Sequence, residues 1–148
     1  MKKILLPLLA LTVLSACSGE VEDTGPGQPV AHRRDAFKAI LKVFEPMGVM
    51  LRTDRFEPER FAQLAQALKE RRDAPWPYFR PDTNYPPTKA LPAVWDEPER
   101  FEADRQAFFE ATDHLAKIAG IDDKAIAGEA YKAVEETCYS CHDTFKTR

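Results

Sequence analysis

The chain has 148 residues, 44% hydrophobic and 30% charged, with a formal net charge of −3. That suits one soluble domain with a real core, and it excludes a disordered chain and a membrane-spanning one. There is no strong basic excess, which argues against a nucleic-acid partner, and neither a glycine-rich phosphate loop nor a GxSxG nucleophile turn is present.

In chain order, Lys2 and Lys3 precede an apolar run, residues 4–13, too short to span a bilayer. This reads as an export signal. It ends in Leu14-Ser15-Ala16-Cys17, which resembles the lipobox of bacterial lipoproteins, where the signal is cut before a cysteine that is then acylated. The alternative is ordinary cleavage with Cys17 incidental, but Leu14 fits the small-x-small cleavage pattern poorly. Ser18 in place of an aspartate resembles outer-membrane sorting in a Gram-negative cell. The expected division is a signal at 1–16, a lipid-anchored flexible tether at 17–30 and a folded domain at 31–148. The Gly-, Pro- and acid-rich composition of 18–30 sets the tether. Loss of Lys2 and Lys3 moves the charge from −3 to −5, 19 basic against 24 acidic side chains.

Four amphipathic helices follow. The first, residues 31–52, carries Phe37, Ile40, Leu41 and Phe44 at helical spacing, with Pro46 predicting a kink or two shorter helices. The second, 57–72, shows the stripe Phe61, Leu64, Ala65, Leu68, with Pro58 at its first position. Its opening, EPERF, recurs at 97–101 and starts the third helix, expected to end near Ala119 with Gly120 as cap. Asp122 is the expected cap of the fourth, whose stripe is Ile126, Ala130, Ala133, Val134, Thr137, Cys141 and Phe145. Between helices two and three, residues 73–95 hold six of the 12 prolines and both tryptophans. So many aromatics predict a segment laid across the bundle rather than a loop in water. No alternating runs suggest strands, so the fold class is all-α, an antiparallel four-helix bundle.

The chemistry lies near the end. Cys138-Tyr139-Ser140-Cys141-His142 matches C-x-x-C-H, the attachment pattern of c-type haem. On a helix, positions three and four apart are neighbours, so Cys138, Cys141 and His142 share a face. Two thiols can form thioethers with the haem vinyl groups, and the imidazole can reach the iron. The rivals are a disulfide exchanger, which lacks its usual βαβ setting, and a zinc site, which lacks ligands at metal spacing in His32 or His114. A chance match is the third. Export favours haem, because c-type haem is attached outside the cytoplasm.

With these residues in place, 31–148 resembles a class II c-type cytochrome, the cytochrome c-prime family. The marks are HRRDAF at the start of helix one, APWPYF with Trp76, LPAVW ending at Trp95, and CYSCHDTFK. The resemblance implies a four-helix bundle with one covalent haem c near the C-terminus, on Cys138 and Cys141, with His142 as axial iron ligand. It places Phe37, four residues after Arg33, where low-spin relatives carry a methionine ligand. Phe37 then covers the distal face and leaves the iron five-coordinate. NO and CO are the ligands it implies, for a redox-active, gas-binding protein on the periplasmic side of the envelope rather than an enzyme. Peroxidase-like chemistry lacks a distal His/Arg pair. The alternative is a low-spin, six-coordinate electron carrier with Met47 or Met50 as sixth ligand, although methionine in a bundle is more often core filler. Arg33 pairs with a haem propionate or is an exposed helix-start residue. Lys146 stands on the proximal side, where the family carries arginine, and also suits a helix C-terminus. Relatives often form homodimers through their first helices. A gap between the first and last helices beside His142 is expected.

Overall fold

A computed structural model describes residues 21–53 and 55–147. Its helices are α1 (Pro29–Arg52), α2 (Pro58–Arg71), the short α3 (Ala93–Asp96), α4 (Pro98–Ile118) and α5 (Lys124–Phe145). Among the described residues no strand forms; Ala90 and Lys146 make an isolated antiparallel bridge. α1 packs on α2, α2 on α4 and α4 on α5, while α5 and α1 touch little. The turns between α1 and α2 and between α4 and α5 are short, so each pair runs antiparallel. This is the four-helix bundle expected from the periodicity.

The core follows the stripes. Phe61, Ala65, Leu68, Leu115, Ala127 and Val134 are fully buried, and Ile40, Phe44 and Met47 of α1 complete one cluster. Gly48 lets α1 approach α5, because a Cβ there would collide with the Tyr131 hydroxyl. The Tyr131 ring stacks on Phe44 at 4.3 Å between centroids. α1 passes Pro46 without a break: one backbone donor is lost, but Phe44, Met47 and Gly48 are buried around it.

Four sequence expectations change. Asp123, not Asp122, caps α5, its carboxylate accepting from the Ala125 and Ile126 amides at 2.8 and 3.1 Å. Ile126 and Ala133 are exposed, because α5 buries Ala127, Ala130, Tyr131 and Val134 instead. Gly120 is not used as a left-handed cap; Ala119 ends α4 in the right-handed region. Leu41, part of the expected α1 stripe, is exposed; the segment after α2 forms short 3-10 turns at Trp76–Tyr78 and Pro81–Thr83 before α3.

The largest difference lies before α1, where the composition of residues 18–30 suggests a tether. Asp23 is 1% exposed. Its carboxylate accepts from the amides of Gly25, Val30 and Ala31 at 2.9, 2.8 and 3.0 Å, and the Tyr85 hydroxyl donates to it at 3.0 Å. Val30 and Ala31 are in the first turn of α1, whose amides have no partner inside the helix. Gln28, the local cap position, makes no side-chain cap bond, so Asp23 caps the helix from six residues upstream of Pro29. Gly25 is required for this approach, since a Cβ would strike the Tyr85 hydroxyl. Burial alone would raise the Asp23 pKa, but the bonds from Gly25, Ala31, Tyr85 and Val30 outweigh it and hold the carboxyl below its ordinary 3.8.

Two outcomes follow from this packing. Leu115→Ala opens a cavity at a fully buried site and lowers the unfolding free energy by about 2–5 kcal/mol, read by chemical denaturation. For Asp23, the folded value is depressed, so its stabilisation is complete above 3.8 and is lost as pH falls through the lower folded value. The protection factor of the Val30 and Ala31 amides, the intrinsic exchange rate divided by the observed one, then falls on acidification in the native protein, while Asp23→Ala shows the low protection already at neutral pH.

Candidate functional site

α5 brings Cys138, Cys141 and His142 onto its last turns, as the spacing requires. Both cysteines are half-buried and neither forms a disulfide. Burial pushes the Cys138 thiol up to about 11, helped by the Glu135 charge. Burial, with Asp104 of α4 and Cys138 itself, pushes Cys141 up to about 12. The pair is therefore uncharged at neutral pH. His142 is exposed, and its pKa is lowered, first by partial desolvation and then by the Lys146 charge, against a smaller opposing effect of Asp143. Its imidazole is thus biased toward the neutral form, the one with a lone pair for a metal.

The chain end is held by backbone bonds. The Leu91 amide donates to the Phe145 carbonyl at 2.9 Å, and the Thr147 amide to the Lys89 carbonyl at 2.8 Å. Lys146 sits in this bridge, exposed, and its own amide donates to the His142 carbonyl at 3.2 Å. Its charge acts on His142.

Arg33 is 5% exposed and is not a solvated helix-start residue. Nη1 donates to the Tyr78 carbonyl at 2.9 Å and to Thr83 Oγ1 at 3.2 Å, Nη2 to Thr88 Oγ1 at 2.6 Å, and the guanidinium lies 4.4 Å from the Phe79 ring centroid. Both terminal nitrogens donate to the loop, as a buried guanidinium requires. One turn on, Phe37 meets Trp76 edge-on at 5.8 Å and Phe79 at 6.3 Å. Phe79 lies 5.0 Å from Phe101 of α4, and Phe101 lies 5.2 Å from Phe145 of α5. A chain of rings thus runs from α1 to the turn that follows His142, and Phe37 and Cys138 pack against the same core cluster. At this end the loop rings Trp76 and Phe79 lie between Phe37 of α1 and Phe101 of α4. An open groove of about 550 Å³ lies outside them, lined by Asp73, Trp76, Pro77, Phe79, Phe101, Glu102 and Arg105.

The donor set fits haem c. Two free, uncharged thiols one turn apart are followed by an imidazole biased to neutrality, beside an aromatic wall. Among the described residues, no group of three or more His, Cys, Asp and Glu comes together that could hold a metal ion with protein ligands alone. Cys17 lies outside the described residues. Sequence reasoning missed Asp23, Phe101 and Phe145 as parts of this end; the APWPYF aromatics were the available signal.

The profile of the Cytochrome C' family matches residues 28–146, and that of the prokaryotic membrane lipoprotein lipid attachment site matches residues 1–18. Cytochrome c' of Rhodospirillum rubrum is 26% identical over 144 residues, covering 97% of this chain and 95% of its own. The solved cytochrome c prime of Shewanella frigidimarina superposes with a TM-score of 0.79 at 25% identity, covering 84% of this chain and 98% of its own. A ferrous variant of cytochrome c prime from Alcaligenes xylosoxidans with bound NO gives 0.77 at 24%, covering 86% and 99%, and another variant of that protein was solved with carbon monoxide. The chain belongs to the cytochrome c' family. Its cofactor is one covalently attached haem c.

The raised thiols make a chemical prediction for the haem-free chain. Iodoacetamide labelling of Cys138 and Cys141, read by mass spectrometry, is slow at neutral pH and climbs steeply only toward the values near 11 and 12. Fast labelling near neutrality would show that the helix face does not shield them.

Proposed function

We propose that this chain is a lipid-anchored haem protein of the periplasmic face, five-coordinate at iron, that binds NO or CO and exchanges electrons without being an enzyme. The observation that carries it is the Cys138, Cys141 and His142 set on one end of α5 within a family-wide match. Cys138 and Cys141 would hold the cofactor through thioethers, and His142 would ligate its iron. When bound, the haem would supply a redox-active iron with a position for a small neutral molecule.

The protein's own residues do the rest. Phe37 stands one turn past Arg33 with its ring braced by Trp76 and Phe79, so it narrows the approach to that position. The Phe37 and Phe79 rings carry no hydrogen-bond donor and Trp76 Nε1 is taken by the Arg72 carbonyl at 2.6 Å, which disfavours retention of O₂. The six-coordinate alternative needs a methionine level with His142. Met47 adjoins Gly48, which lies against Tyr131, eleven residues before His142. That is about 16 Å along α5, too far for a shared iron, and Met50 lies farther from the site end of α1. Met47 is fully buried core. Relatives with NO and CO bound support the ligand class.

The lipid attachment match supports a signal at 1–16 and acylation of Cys17, and Ser18 favours the outer membrane. Leu41 and Val49, about half exposed on one side of α1, suit the first-helix homodimer that the family suggests.

Expression in a host that matures c-type haem tests the assignment. The native chain gains the mass of one haem, and Cys138→Ala with Cys141→Ala does not. The reduced native protein gives a broad, five-coordinate spectrum; a sharp, split visible band would point to a sixth protein ligand. Phe37→Ala removes the ring and speeds CO or NO binding on the order of tenfold, a barrier change of about 1.4 kcal/mol, measured by flash photolysis or stopped flow.

A further inference from the structure

The segment that leads to the anchor is built into the same end of the molecule as the cysteine pair. Asp23 is held by Tyr85. The Tyr85 carbonyl accepts the Thr88 amide, and Thr88 Oγ1 accepts Arg33. The next carbonyl, Lys89, accepts the Thr147 amide, five residues beyond His142. These bonds form one continuous patch from Asp23 to the end of α5. α1, 24 residues long, then carries the chain about 36 Å away from this patch. At the far end the Thr53 carbonyl accepts from Lys124, where α5 begins.

The lipid attachment match reaches residue 18 and includes Cys17. Six peptide steps separate Cys17 from Asp23. Whatever their conformation, they span at most about 20 Å. A flexible tether running to α1 would have been twice as long and would have left the bundle free to turn. Docking of Asp23 shortens the leash and fixes it to one end of an elongated body.

We propose that this end is a membrane-facing surface, its partner the lipid bilayer in which Cys17 is anchored. The proposal rests on the acylation of Cys17. The patch formed by residues 85–90 and 143–147 faces the lipid headgroups, so Cys138, Cys141 and His142 lie at the membrane-proximal end. The turns at 53–57 and 119–123 point away. Both signs of charge occur on the patch, in Lys89 and Lys146 against Asp143. Leash length rather than lipid charge therefore sets the orientation, and the bias persists in zwitterionic lipid.

The test uses the full-length, acylated, haem-loaded protein in phosphatidylcholine vesicles containing a phospholipid with a photoreactive headgroup. Crosslinked peptides are mapped by mass spectrometry, which also reports the acyl group on Cys17. Peptides covering 85–90 and 143–147 are expected to crosslink at least about fivefold more than those covering 55–63 and 119–124. A Gly/Ser spacer of about thirty residues inserted after Ser18 is expected to erase the bias while leaving the melting temperature unchanged. Asp23→Ala is expected to weaken it. Even or reversed crosslinking in an acylated chain overturns the orientation alone. A chain with no acyl group on Cys17 overturns the anchor reading, and the orientation with it.

Discussion

Arg33 is the constraint on which this end of the protein depends. A guanidinium cannot stay charged inside a bundle without partners, and α1 offers it none. The loop after α2 supplies them, a carbonyl from Tyr78 and hydroxyls from Thr83 and Thr88. Burial lowers its pKa, while the nearby Tyr85 and Asp23 charges raise it. One buried cation thereby selects the path of a proline-rich segment that has no periodic pattern of its own.

That path has consequences for the cofactor site. Once Tyr78 and Thr83 are fixed, Phe79 and Trp76 must lie across α1, and they meet Phe37 on one side and Phe101 on the other. The same segment presents Lys89 and Leu91 to the end of α5 and bonds to it through two backbone amides. The thiols of Cys138 and Cys141 owe their partial burial to this end of the bundle, as does the electrostatic bias on His142. Lys146 adds a positive charge that lowers the His142 pKa, after the larger effect of desolvation.

The far end obeys different rules. There α1 and α5 meet through Gly48 and Tyr131, close enough that no side chain fits at position 48. α1 and α5 meet closely there and touch little elsewhere. Met47 and Met50 fall on the tight side, where Met47 is fully buried and Met50 packs against the same core cluster.

Helical stripes, EPERF starts and the CYSCH spacing were legible in the sequence because helix periodicity and covalent haem attachment are local properties. Four helices, their approximate bounds and the positions of Cys138, Cys141 and His142 need nothing beyond neighbours along the chain. Asp23, Arg33 and the exposed Ile126 were not legible, because each depends on what packs against it. An aspartate in a Gly- and Pro-rich stretch looks like tether until a tyrosine 62 positions away donates to it, and an arginine at a helix start looks solvated until a loop 45 to 55 residues on closes over it. The sequence by itself determined the helices and the chemistry of the last turns. Packing sets where the loop lies and where Asp23 docks, since long-range hydrogen bonds to buried charges leave no periodic trace in the chain.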